Sequence, residues 1–473
     1  MKKPLFAVVG LVAAAAAAYV GGSYYVGGQV QQELRAQADR VTTQLPFVRI
    51  TEQGYDKGLF SATRTVTMKF GCERSQEAAA AGMPPKSFEL TVREHIQHGP
   101  LIGGSSWGAA SIQSELVLPP EAEQVVAQMF GNQKPLTVTT TVGFDRHYTS
   151  RLESPRARLE APTGQQFVWQ GLQATFSGDS DGESVRYELN MPGFEVSDKN
   201  QGARVTLSEL RWKGEGRRVG DSLWVMAGKD EGQIGLMEMS MRLPLTATGE
   251  VRPFLFALTD LKFDAEATVD QNLLTSKATV LGTGSFDGTK LDKLEMAASL
   301  KRLHVPSYQN LMSNLMKQSF SCGEDEDVDP QAMLAAMQAD LMKLLPHDPE
   351  YALDKLAVEY GGKRGELSYA FGVKGVTEAD AQLPPMALLM TKGQARADVK
   401  LPIVWIEQLL NQAPIRATGT APEPEMLNAM IDQFADQGYV VRDAEHVAAS
   451  VRFAGGTLEL NGKPLPVGRP PAQ

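Results

Sequence analysis

Alternation of apolar and polar residues is the feature that most limits what this chain can fold into. SATRTVTMKF sets Val66, Met68 and Phe70 on one side and Thr63, Thr65 and Thr67 on the other. LTVTTTVGF repeats the device with Leu136, Val138, Val142 and Phe144. Side chains two apart share a face of a strand, so such runs read as half-buried strands. LQATFSGDSDGESVRYEL reads as a hairpin: Leu172, Ala174 and Phe176 alternate, Gly178–Gly182 turns, and Val185, Tyr187 and Leu189 return. RVTLSELRW, SLWVMAG, LMEMSMRL, FALTDLKFDAEATV, TSKATVLGTGSF and LEMAASLKRLHV continue the pattern, and EAEQVVAQMFGN interrupts it as a short helix. One apolar and one polar face marks antiparallel sheet packed on one side and wet on the other.

The period changes at Pro306. Tyr308, Leu311, Met312, Leu315 and Met316 fall at helical spacing. After the acidic stretch CGEDEDVDP, Asp329 and Pro330 open a second helix with Met333, Met337, Leu341 and Leu344, followed by two strands around a Gly-rich turn. The order then recurs: ADVKLP leads into PIVWIEQLLNQ, EPEMLNAMIDQF follows, and VAASVRFAGGTLELNG closes. Both helical parts contain M-L-x-A-M, and the hairpins match Val358 with Val451, Tyr360 with Phe453 and Leu367 with Leu458. We therefore expect tandem strand–helix–helix–hairpin units, Leu291–Val376 and Gly393–Val467. The fold class expected is α+β: an N-terminal membrane helix over 1–28, a mostly antiparallel region over 29–290, and the two units.

The membrane helix rests on MKKPLFAVVGLVAAAAAAYVGGSYYVGG. Lys2 and Lys3 precede a run without charge from Pro4 to Gly28, and a spanning helix needs roughly 20 apolar residues. The lysines mark the cytoplasmic end, and Tyr19, Tyr24 and Tyr25 fall near the far interface. The competing reading is a signal peptide cleaved after Ala16-Ala17-Ala18. Both readings export the chain, to the periplasm if the source is Gram-negative. The length of 473 residues suits one large domain or two to three smaller ones, and 42% hydrophobic with 22% charged residues is globular composition. A net charge of −10 weighs against nucleic acid or anionic headgroups as bulk partners. The two cysteines, Cys72 and Cys322, suggest a disulfide in an exported chain, with two free thiols as the alternative. Neither has a partner at zinc or haem spacing.

Candidate chemistry begins with FELTVREHIQHGPLIGG. His95 and His98 have metal-pair spacing if the segment is a helix. It alternates, so it is a strand, and residues three apart point to opposite faces. His98 then ends the apolar row of Phe88, Leu90, Val92 and Ile96, and Gly99-Pro100 stops the strand. A structural histidine is the reading, with a catalytic one as the alternative. Met237, Met239 and Met241 share a strand face, which suits a soft core better than copper. GEDEDVDP lacks the Gly and distal Glu of an EF-hand, and DSDG at Asp179–Gly182 reads as a turn. There is no H-E-x-x-H and no P-loop. Paired carboxylates are invisible at this level.

These pieces resemble the YdgA-like bacterial proteins, a family of unknown function. The resemblance is carried by Gly21-Gly22-Ser23-Tyr24-Tyr25, by Tyr55-Asp56-Lys57-Gly58-Leu59-Phe60-Ser61, by His98-Gly99-Pro100 and by Leu458-Glu459-Leu460-Asn461-Gly462. It implies a protein held in the inner membrane by an uncleaved anchor, with its bulk in the periplasm of a Gram-negative bacterium. It supplies no activity and no catalytic residue, and it says nothing of Cys72 and Cys322. The expectation is a non-enzymatic envelope protein without cofactor or metal, binding a lipid-like ligand or a protein partner on its sheet. The alternatives are a scaffold that oligomerises and an envelope hydrolase working through a carboxylate or His98.

Overall fold

A computed structural model describes residues 3–45, 48–71, 87–103, 106–220, 225–244, 251–319, 337–377, 379–380, 383–412 and 424–465. Cys72, Cys322 and the acidic stretch after Cys322 lie outside these residues, and so do the side chains before residue 18. The chain opens with helix α1 (Lys3–Gln44). Among the described residues no helix is long and apolar enough to cross a membrane. Strands β1 (Val48–Lys57), β2 (Ser61–Gly71), β3 (Ser87–His98), β4 (Leu101–Ile102), β5 (Ser106–Trp107) and β6 (Ala110–Val117) follow, then α2 (Pro120–Phe130). Next come β7 (Thr137–Val142), β8 (His147–Ser154), β9 (Ala157–Glu160), β10 (Gln165–Trp169), β11 (Leu172–Asp179) and β12 (Ser184–Asp198). The long strands are β13 (Ala203–Arg218), β14 (Met226–Pro244), β15 (Val251–Asp270), β16 (Leu273–Phe286) and β17 (Thr289–His304). After α3 (Val305–Ser319) stand β18 (Glu350–Tyr360), β19 (Lys363–Val373), α4 (Pro385–Lys392), β20 (Gly393–Pro402), α5 (Ile403–Gln412) and α6 (Pro424–Asp436). The described chain closes with β21 (Val441–Arg442), β22 (His446–Ala454), β23 (Thr457–Leu460) and β24 (Lys463–Leu465).

The fold is mostly antiparallel sheet with a few helices. Among the described residues twenty-two strands form one sheet, and β4 with β5 makes a separate ribbon. Most strands pair with the next in sequence. β12 is shared: its first half pairs β11, and its second half pairs β10, which pairs β9. The strands after Pro306 join the same sheet as those before it.

Directly paired residues point the same way in an antiparallel ladder, so one face can be followed from strand to strand. One row begins Tyr55–Arg64–Glu94–Ser114 across β1, β2, β3 and β6. It turns apolar at Val138–Leu152–Ala174–Leu189–Trp212 across β7, β8, β11, β12 and β13. It continues through Gly232, Phe263, Val280 and Met296 on β14 to β17. It ends as Leu356, Leu367, Val399 and Ala449 on β18, β19, β20 and β22. The opposite face carries cross-strand ion pairs such as Arg186–Glu215, Lys213–Glu231 and Lys229–Glu266. These are exposed and each stabilises little, but they keep that face wet.

Helices cover the apolar face in patches. Val30 and Leu34 of α1 pack on Ala62, Ile96, Ala110 and Ile112. Val305 and Leu311 of α3 cluster with Leu274, Leu303 and Leu344. Ile403 of α5 and Leu427 and Ile431 of α6 form another buried group. Between these patches Leu189, Trp212, Phe263, Val280 and Met296 are half-buried. Trp212 stacks on Phe263 across β14, ring centres 5.9 Å apart.

One detail of the C-terminal region corrects the sequence reading. The hairpins turn on Gly361–Gly362 and on Gly455–Gly456, each pair with positive φ, as a two-residue primed turn requires. Matched by their turns, Tyr360 corresponds to Ala454, not to Phe453. Helix α5 meets the sheet through Trp405, whose ring lies where a Cβ on Gly365 would stand. Gly365→Ala should therefore destabilise the protein by about 1–3 kcal/mol through overpacking, read as a lower denaturant midpoint at unchanged slope.

Candidate functional site at the junction of the N-terminal helix and the sheet

The segments that carry the family resemblance are far apart in sequence, yet three of them meet where α1 reaches the sheet. The imidazole of His98, 1% exposed at the end of β3, lies against the α1 backbone at Gly27. A Cβ on Gly27 would overlap the ring. Ser23, fully buried, donates a long 3.5 Å bond to the His98 carbonyl. The His98 amide donates to the Phe60 carbonyl at 2.8 Å, and Phe60 stacks on Tyr19 at 5.6 Å. Gly58 N–H donates to the Ser61 carbonyl at 2.8 Å, closing the β1–β2 turn that carries Leu59 and Phe60. Lys57 sits over the Tyr24 ring at 4.0 Å, a cation–π contact. The Gly99–Pro100 peptide is cis, and Gly99 N–H donates to the Ala109 carbonyl at 2.7 Å, turning the chain toward β6.

Below this junction lies a charge network. Arg64, 5% exposed, binds Glu52 and Glu94, each at 3.1 Å. Arg35 of α1 reaches the same Glu52 at 2.7 Å. The bond from Arg35, and then that from Arg64, hold the Glu52 carboxyl below its ordinary range. Burial pushes the neighbouring Tyr55 phenol up, and its hydroxyl is buried without a hydrogen-bond partner. Two carboxylates fixed on one buried guanidinium make a structural clamp, because removing any member strands a buried charge.

α1 is gripped from two sides. Arg35 pairs with β1, while Gln37 donates to the Ser180 carbonyl at 3.1 Å in the β11–β12 turn. Strands β2, β3, β6, β7 and β8 lie between those contacts in the ladder, so the apolar face is concave around the helix. A cleft of about 670 Å³ remains between them, lined by Val26, Val30, Leu34, Ile112, Val142 and Tyr148. Tyr25 and Phe144 stand exposed beside it. Ser180 Oγ and Asp181 Oδ1 face this cleft, buried and without partners. Farther along the apolar face, Asp230 is a polar point that accepts from the Tyr187 hydroxyl and from Trp212 Nε1. Burial and that carboxylate push Tyr187 up to about 12.

The remaining candidates fall elsewhere. His95 is exposed on the opposite face from His98 and pairs with Glu115 at 3.2 Å. Neither ring nitrogen of His98 has a hydrogen-bond partner. Met237 and Met239 sit in register with Leu258 and Phe256, and Met241 with Phe254. Among the described residues no group of three or more His, Cys, Asp or Glu is placed to hold a metal. Sequence reasoning also passed over the spelling G-x-S-x-G, which occurs at 104–108 and 178–182. The second is the β11–β12 hairpin turn, not the strand-to-helix elbow that exposes a nucleophile. There His147 approaches Asp179 at 3.7 Å, and the Ser180 hydroxyl bonds to neither. Sequence reasoning missed the stacked pair His304 and His347, ring centres 3.8 Å apart, with His304 bonded to Ser307 at 2.8 Å. No local pattern links two residues that only the fold brings together.

The profile described as bacterial protein of unknown function (DUF945) matches residues 1–468, and the chain belongs to this family. Protein YdgA of Escherichia coli (strain K12) is similar, 19% identical over 500 residues that cover 98% of this chain and 95% of that protein. No solved structure matches the chain.

The His98 seat makes two measurable demands. Gly27→Ala should cost about 1–3 kcal/mol, and combining it with His98→Ala should recover part of that, a coupling of at least about 0.5 kcal/mol in a double-mutant cycle. Burial, and then the Lys57 charge, hold the His98 imidazole below its ordinary 6.5, while the Leu59 backbone acts the other way. The unfolded chain therefore takes up the proton first, and this contribution is lost as pH falls from 6.5 through the folded value. Denaturant midpoints measured against pH should fall more steeply below 6.5 for the wild type than for His98→Gln.

Proposed function

We propose that this is a membrane-anchored envelope protein of the periplasm, not an enzyme, which holds a lipid-like apolar ligand on the concave face of its sheet. The observation that carries the reading is the unbroken apolar row from Val138 to Ala449, on a face that helices cover only in patches. A closed core would bury these side chains, whereas Trp212 and Phe263 are half-exposed beside an open groove and Met296 is half-exposed farther along the row. The cleft beside α1 is of ligand size. The uncharged run after Lys2 and Lys3 supports the anchor and the export of the rest of the chain. At His98 the burial of the imidazole, with Lys57 as the charge that acts on it among the described residues, favours this reading over envelope hydrolysis.

The tandem units Leu291–Val376 and Gly393–Val467 belong to this proposal as a repeated way of capping the face. β17 runs directly into α3 as β20 runs into α5, and both units close with a glycine-pair hairpin. A second reading, an assembly scaffold, draws on α6. Its Leu427 and Ile431 are buried, but Met426, Met430 and Phe434 form an exposed stripe on another side.

The test is lipid mass spectrometry on the full chain purified from native membranes. Bound lipid should be present and should drop at least several-fold in Leu189→Glu and Met296→Glu, which place a charge on half-buried positions of the row. Absence of lipid from the wild type, with no lipid transfer between vesicles, would sink the lipid reading.

A further inference from the structure

We propose that the loop tips surrounding α1 at one end of the sheet seat in the bilayer interface, so that side chains hold the sheet against the membrane in addition to the helix. This rests on the proposed membrane anchor. Large apolar residues stand out in solvent from four separate places at that end. Tyr24 and Tyr25 come from α1, Leu59 and Phe60 from the β1–β2 turn. Leu101 and Trp107 come from the β4–β5 ribbon, and Phe144 from the β7–β8 turn. Trp107 is 72% exposed, Tyr25 67% and Leu59 53%. Contacts place them side by side: Phe60 stacks on Tyr19 and its carbonyl accepts from His98 N–H at 2.8 Å, Pro100 beyond His98 accepts from Gly108 N–H at 3.0 Å next to Trp107, Trp107 packs on Phe144 at 5.6 Å, and Phe144 lines one cleft with Tyr25.

The chemistry and the level of the patch both select a membrane over a protein partner. Aromatic and aliphatic tips flanked by a lysine are what the headgroup boundary accommodates, and Lys57 stands at Tyr24. The run from Pro4 to Tyr24 carries no charge, and as helix it spans about 30 Å, the thickness of the hydrocarbon core. That puts Tyr24 and Tyr25 at the far interface, and Tyr19 about 7 Å deeper. Phe60, stacked on Tyr19, then reaches to the acyl chains, with Leu59 beside it. Charge returns to α1 at Glu33 and Arg35, where Arg146 of the β7–β8 turn lies 3.7 Å from Glu33 and Arg35 pairs with Glu52 of β1.

The experiment uses the full chain in vesicles of phosphatidylethanolamine and phosphatidylglycerol, with acyl chains brominated near the headgroup to quench tryptophan. Of the five tryptophans, Trp107 should supply a quenched component that Trp107→Phe removes. Leu59→Glu combined with Phe60→Glu should weaken quenching of Trp107 by lifting the tips. If wild type and Trp107→Phe are quenched to the same extent, the proposal is overturned. Alkaline carbonate extraction of the same vesicles separates the two ideas. A chain that stays in the membrane with Trp107 unquenched refutes the tips alone. A chain that extracts while Trp107 was quenched refutes the anchor and leaves the tips standing.

Discussion

Everything in this molecule depends on the backbone ladder between strands that succeed one another in sequence. Because opposed residues in an antiparallel ladder share a face, one choice of inward residue on β2 fixes the inward residue on each strand to β22. Neighbouring strands lie about 4.8 Å apart, so the resulting row measures on the order of 75 Å along its arc. A row of that length cannot close into a compact core with the few helices described. It is instead capped at intervals, first by α1, then by α3, then by α5 and α6, and between the caps its side chains stay half-buried.

The N-terminal helix sets the curvature at its end of the row. It is gripped by both β1 and the β11–β12 turn, and its seat combines a steric fit with a buried charge clamp. The steric part, Gly27 over His98, is unforgiving of one methyl group. The charge part, Arg35–Glu52–Arg64–Glu94, is costly to break and ties helix to sheet in one register. Three of the four segments that carry the family resemblance therefore gather at this joint between helix and sheet.

Local features of the fold were legible in the sequence. Alternation around Val66, Leu189 and Val280 identified strands and their inward faces, and the spacing from Tyr308 to Met316 identified α3. β14 was less legible. Its stretch reads as two strands, SLWVMAG and LMEMSMRL, because Gly228, Gly232 and Gly235 with Asp230 and Glu231 resemble a turn, while the ladder carries one strand through from Met226 to Pro244. β15 gave a similar difficulty, since a bulge near Asp260, whose φ is 52°, shifts the period in mid-strand. The joint itself was invisible. Gly27 is one glycine among several in α1, and nothing local predicts that His98 will need the space it leaves. The one-residue mismatch of Tyr360 with Phe453 has the same origin, since side-chain type was compared where the turn glycines decide the phase.

A meander of this kind also orders its own assembly. Most strands pair with their predecessor, so many contacts close over short loops at small entropic cost, whereas β11 on β8, β18 on β17 and β22 on β20 close longer ones. A chain emerging N-terminus first can complete α1 with β1, β2 and β3 as a seed and then add strands one at a time. The growing edge presents unpaired amides and carbonyls until the next strand arrives, and among the described residues β24 pairs with β23 alone.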